Sequence, residues 1–158
     1  MKQQTGSAAD SSTDQVAQTI SLLTTTTGLI DIYALAVDGE PDWIVPQSLV
    51  LEIVPLPNAK AKHIEWQDQQ IPTHSLLPNT VKGAAVAVLI EGDTDASRIA
   101  LIVETTPVSM RVRISNLRDT NNSQVLPHVY QKVLLENKLY QVPDIDRLTK
   151  AIMRKKNP

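Results

Sequence analysis

The sequence predicts a mainly β fold, a small barrel or sandwich with one helix at its C-terminus. Between Ala84 and Ile114 three apolar runs follow one another, AVAVLIE, RIALIVE and MRVRI, each of strand length and separated by turn residues or proline. Further short apolar runs recur through the rest of the chain with turn signals between them, the pattern of a small all-β domain. Only the last stretch has helical spacing, with Ile145, Leu148 and Ile152 on one face.

Taken in order, residues 1–19 are polar and small and are expected to form a flexible tail, with 20–158 as one domain long enough to bury a core. Asp14 is a suitable N-cap for a short helical turn over 15–23, although the threonines at 24–27 are poor helix formers. Gly28 leads into a strand, LIDIYALAV. Asp38-Gly39 signals a turn that Glu40-Pro41 is expected to lengthen, and Trp43 to Val45 return as a strand ended by Pro46. SLVLEIV is the next strand, closed by PLPN. His63 to Trp66 and Gln70 to Thr73 then flank a polar turn, QDQ.

In the central unit Val86, Val88 and Ile90 alternate with Ala85, Ala87 and Leu89, so both faces are apolar, as in a strand covered on both sides. GDTDAS is a turn, and Ile99 to Val103 repeats the two-sided pattern. After Pro107, Met110, Val112 and Ile114 share one face and Arg111 and Arg113 the other, a half-exposed strand. Residues 115–123 read as a polar loop. Tyr130 to Leu135 and Lys138 to Val142 form a hairpin about Glu136-Asn137. The helix is expected to have Pro143 at its start, Asp144 in its first turn, and Arg154, Lys155 and Lys156 where cations suit its dipole.

Composition excludes several functions. There is no cysteine, which removes disulfides, thiolate metal sites and thiol catalysis. A net charge of −2 argues against gripping nucleic acid or an acidic membrane through charge. Two Trp, three Tyr and no Phe give an aliphatic core and no stacking platform for bases. The N-terminus lacks the apolar core of a signal peptide, and no run approaches the roughly 20 apolar residues of a bilayer span, so a cytoplasmic location is expected.

Catalytic chemistry is hard to assemble. His63, His74 and His128 show no zinc spacing. His74 and Ser75 are neighbours that a strand points to opposite faces, poor geometry for a nucleophile and its base. Asp93 and Asp95 lack the further ligands of a calcium loop, and Glu65 and Asp68 have no pocket residues around them. Arg111, Arg113 and Arg118 suit an acidic partner or phosphate, or equally a solvated face that discourages edge pairing. No metal, cofactor or enzymatic activity is expected.

The order of segments is more informative. YALAVDGEPDWIVP precedes Val50-Leu51-Glu52-Ile53, a V-x-E-I segment. IEWQDQQIPTHSL follows, then AAVAVLIE, a turn, RIALIVETTPVSMRVRI and a closing PDIDRL helix. This series, over about residues 29 to 154, resembles the CheW-like domain, the coupling-protein family of bacterial chemosensory arrays. It is most similar to the ChpC-like adaptors of type IV pilus (twitching) systems. The resemblance implies two small five-stranded β-barrel subdomains around a shared hydrophobic core, with a C-terminal helix packed against them. It implies a non-enzymatic adaptor linking a methyl-accepting chemoreceptor to the regulatory domain of a CheA-type histidine kinase, without nucleic acid and without membrane insertion.

Residue by residue, the resemblance places the kinase-contact strand at Val50, Glu52 and Ile53, although strand alternation fits Val50 and Ile53 equally well as core residues. The family's N-L-R-G turn, whose arginine matters for receptor coupling, aligns with Trp66-Gln67-Asp68. Gln67 stands for the arginine and Asp68 for the glycine, and a neutral amide supplies neither the charge nor the bidentate fork of guanidinium. Ile71-Pro72 matches the family's apolar-proline step, and Glu104 stands where the family tends to have Asp. The departure at Gln67 points to an auxiliary adaptor with altered receptor choice. The competing readings are a small β-barrel enzyme and a β-barrel binding module for nucleic acid or another protein.

Overall fold

The computed structural model describes residues 28–120 and 129–156. The expected N-terminal tail and the helical turn over 15–23 lie outside them, as does His128. Eleven strands and one α-helix are described: β1 (Leu29–Val37), β2 (Glu40–Pro46), β3 (Val50–Leu56), β4 (His63–Trp66), β5 (Gln69–Ser75), β6 (Ala85–Ile90), β7 (Ile99–Val103), β8 (Val108–Arg113), β9 (Arg118–Asp119), β10 (Val129–Leu135), β11 (Lys138–Pro143) and α1 (Ile145–Lys156). They form a six-stranded sheet in the order β8-β1-β2-β11-β10-β9 and a five-stranded sheet in the order β3-β6-β7-β5-β4. The sixth strand of the first sheet is the two-residue β9.

Each sheet curls round an apolar interior of its own. In the six-stranded sheet Ile30, Ile32 and Ile44 meet Val112, near one edge, and Val133 and Leu135, near the other, which requires the sheet to roll. In the five-stranded sheet Ala85, Ala87, Leu89, Ala100 and Ile102 fill the interior with Leu56 of β3 and Ile71 of β5. Three of these are alanines, suited to a narrow interior where larger side chains would collide. A third cluster lies between the sheets. The opposite faces of the central strands, Val88, Ile90, Ile99, Leu101 and Val103, pack there against Leu35, Trp43 and Val45 of the first sheet and Leu148 and Ile152 of α1. This explains the two-sided apolar runs: β6 and β7 serve the barrel interior with one face and the shared core with the other. The fold is therefore mainly β, two curled sheets on a common core with a C-terminal helix.

Most segments lie where the sequence places them, and the differences have local causes. Glu40 and Pro41 do not lengthen the first turn. They belong to β2, because Glu40 pairs with Val37 and Gly39, at φ +71°, completes a tight two-residue turn. Gln67-Asp68 likewise closes the β4–β5 hairpin as a two-residue turn, since Trp66 pairs with Gln69. Within 91–98 a 3₁₀ turn at Asp95–Ser97 is capped through the Thr94 and Ser97 hydroxyls. Gly92 is required there, because a Cβ would collide with the Ser97 carbonyl. Within 115–120 the polar loop holds the end of a 3₁₀ turn and β9. Asp144 is the N-cap of α1, not a first-turn residue: its Oδ1 accepts from the Arg147 N–H at 3.0 Å, and Pro143 ends β11.

Candidate functional site

β3 and β4 are the two ends of the five-stranded sheet, and curling brings them together. The Trp66 indole N–H on β4 donates to Glu52 Oε1 on β3 at 2.8 Å. Arg98, just before β7, lies over the Trp66 ring at 5.4 Å from its centre. The same guanidinium reaches Glu91 Oε1 at 3.2 Å and Gln69 Oε1 at 3.1 Å. Glu52, Trp66, Gln69, Glu91 and Arg98 thus tie the V-x-E-I strand, the hairpin and the β6–β7 connection into one polar seam. A cation over an indole face beside a carboxylate is a mutually supportive arrangement. It fixes these side chains against one another and holds no nucleophile with its base.

The seven residues assigned from the resemblance fall into three environments. Glu52 is exposed at the seam. Gln67 and Asp68 are exposed at the hairpin tip, with φ of +47° and +62°. Val50 and Ile53 are half-buried and pack against the core between the sheets. A register shift between Val50 and Glu52 breaks the alternation and turns Glu52 toward the hairpin while Val50 and Ile53 keep the other face. Ile71 and Pro72 are buried, Ile71 completely, and support the hairpin from within. The structure thereby brings Glu52 beside the base of the hairpin tip that carries Gln67 and Asp68.

Sequence reasoning did not select Trp66, Gln69, Glu91 or Arg98. The one available signal was the hairpin itself: a two-residue turn at Gln67-Asp68 makes Trp66 and Gln69 cross-strand partners. Nothing local in the sequence announces that Arg98 reaches both.

Two other candidates, Arg111 and Glu65, take structural roles. Arg111 forms a two-pronged pair with Asp31, at 2.8 and 3.3 Å, across β8 and β1. The hydrogen bond from this guanidinium holds the Asp31 carboxyl below its ordinary pKa and raises that of Arg111. Lys138 is raised by its hydrogen bond to Asp42, at 3.1 Å. Glu65 accepts from Gln70 within the hairpin at 3.3 Å. Among the described residues no group of histidine and acidic side chains is placed to hold a metal ion, and no helix is long and apolar enough to cross a membrane.

The chain matches no known family and no curated protein in sequence. Its similarity is in structure. It resembles the scaffolding protein TtCheW from Thermoanaerobacter tengcongensis, with a TM-score of 0.57 over 72% of this chain and 88% of that one at 11% identity. The shared property is the CheW-like fold.

Proposed function

We propose that the protein is a non-enzymatic chemosensory adaptor. It couples a methyl-accepting chemoreceptor to a CheA-type histidine kinase, in the control of type IV pilus-driven twitching motility. What supports this reading most is the seam. On a CheW-like fold, the strand assigned to the kinase and the hairpin assigned to the receptor are joined by the hydrogen bond from Trp66 to Glu52. Binding through sheet edges and exposed tips needs no convergent titratable groups, in keeping with side chains spent on positioning one another. Gln67 in place of arginine suits a weaker or different receptor contact than the family's own.

The test is calorimetric titration of the protein against the CheW-like regulatory domain of the co-encoded kinase. Micromolar binding is expected, abolished by Glu52→Lys in a sample whose circular dichroism is unchanged. A folded wild-type protein that fails to bind removes the adaptor reading. Gln67→Arg is expected to strengthen binding to the receptor tip; unchanged affinity places the receptor contact elsewhere.

A further inference from the structure

At the base of the β4–β5 hairpin, away from the tip, the two strands part. β4 ends at His63, opposite Pro72, whereas β5 continues through Ser75 beside β7. The Thr73 N–H donates to the Lys62 carbonyl at 3.1 Å, on the β4 side. Ser75, two residues on, therefore presents its main chain to that same side, where β4 no longer runs. The space there is a groove of about 750 Å³ between β5, the segment at 59–63 and α1. Lys60, Lys62, His63 and His74 line it, and no Asp or Glu among the described residues does. Ala151 and Ile152 of α1 supply an apolar wall. The basic wall is built in place: Lys60 Nζ donates to the Asn79 carbonyl at 2.6 Å, and the Thr73 hydroxyl to the Ala61 carbonyl at 2.7 Å.

We propose that this groove takes an acidic, extended segment of a partner protein, laid beside β5 where β4 stops. Its carboxylates meet Lys62 and His63, and its apolar side chains rest on Ala151. A strand edge supplies main-chain hydrogen bonds to an added strand, and side-chain pockets on either side supply choice. The positive charge of Lys60 and Lys62 speeds and selects an acidic partner. A small anion would use the charges alone and leave the strand edge and the apolar wall unused. The groove opens at the far end of the hairpin from its tip: His63 lies four residues along β4 from Gln67, about 13 Å at strand rise. The inference does not rest on the adaptor reading.

The probe is a fluorescein-labelled hexapeptide of alternating Glu and Val, read by anisotropy and by amide chemical shifts of the protein. Saturable binding is expected, with shifts at His63, His74, Ser75 and Ala151 and an affinity that falls with salt. Lys62→Glu, whose side chain is exposed, should weaken it about tenfold. Ala151→Glu, which keeps a good helix former on α1, should do the same, and the corresponding Gln-Val peptide should not bind. Glu52→Lys should bind the Glu-Val peptide normally, so failure here and failure of the kinase titration are distinguishable. The proposal is overturned by absence of binding, by shifts outside the groove, or by full affinity in both groove variants. Inorganic phosphate reproducing the whole shift pattern would overturn it too, by making the groove a small-anion site.

Discussion

Two hairpins of this chain close on two-residue turns with positive φ at both positions, and neither uses glycine. Gln67 and Asp68 stand at φ +47° and +62°, Glu136 and Asn137 at +51° and +68°. Left-handed backbone costs an L-residue about 1–2 kcal/mol, and Asn and Asp tolerate it best because their short polar side chains bond locally. In each turn the second residue is one of those two and the first is not. The strain therefore falls on Gln67 and Glu136, and Gln67 lies at the tip assigned to receptor contact. Gln67→Asn is expected to stabilise the protein by about 0.5–1 kcal/mol, seen as a rise in the thermal midpoint. A fall in the midpoint would show that the glutamine side chain compensates for its backbone. This turn was only partly legible in the sequence. QDQ lacks the Asn-Gly or Asp-Gly pair that marks a two-residue turn, so the sequence places the strand boundary one residue late, at Gln70, and hides the pairing of Trp66 with Gln69.

At the scale of elements, α1 shows how one side chain sets a boundary. Its N-terminus is fixed by Asp144, whose carboxylate accepts from the Arg147 N–H and whose carbonyl accepts from the Leu148 N–H at 2.9 Å. Leu148 and Ile152 are thereby aimed into the core between the sheets. Asp144→Ala is expected to lower stability by about 1 kcal/mol, measured as a reduced denaturant midpoint with an unchanged slope. The ion pairs of Arg147 with Asp144 and Lys150 with Asp146 are exposed and add little. Elements with a clear period were legible: β1, β6, β7, β8 and α1 lie where apolar spacing puts them. What spacing does not encode is the register shift in β3, which separates Val50 from Glu52, and the two-residue β9, too short to carry a period. Of the residues assigned from the resemblance, Glu52, Gln67 and Asp68 are exposed, whereas Ile71 and Pro72 are buried. Ile71 and Pro72 look alike whether they face a partner or a barrel interior, and sequence alternation cannot choose between those faces.

At the scale of the whole molecule, the question is whether two curled sheets behave as one unit. Their private interiors are joined by the shared core, in which Leu35, Trp43 and Val45 of the first sheet meet Val88, Ile90, Leu101 and Val103 of the second, with Leu148 of α1 alongside. Chain order reinforces the joint, because β10 and β11 return to the six-stranded sheet after the five-stranded sheet is complete. Neither sheet can lose the shared core without exposing apolar side chains of both, so a single cooperative transition is expected. The two tryptophans report on the two halves: Trp43 sits in β2 against the shared core, and Trp66 in β4 at the seam. In the single-tryptophan variants Trp43→Phe and Trp66→Phe, denaturant unfolding followed by fluorescence should coincide with that followed by circular dichroism. Leu101→Ala, at a fully buried position, should lower stability by about 2–5 kcal/mol and shift both reporters together. If the Trp66 signal instead changed at lower denaturant than the Trp43 signal, the five-stranded sheet would open on its own. The seam between Glu52 and Trp66 would then be a local gate on the partner strand, not a fixed part of the fold.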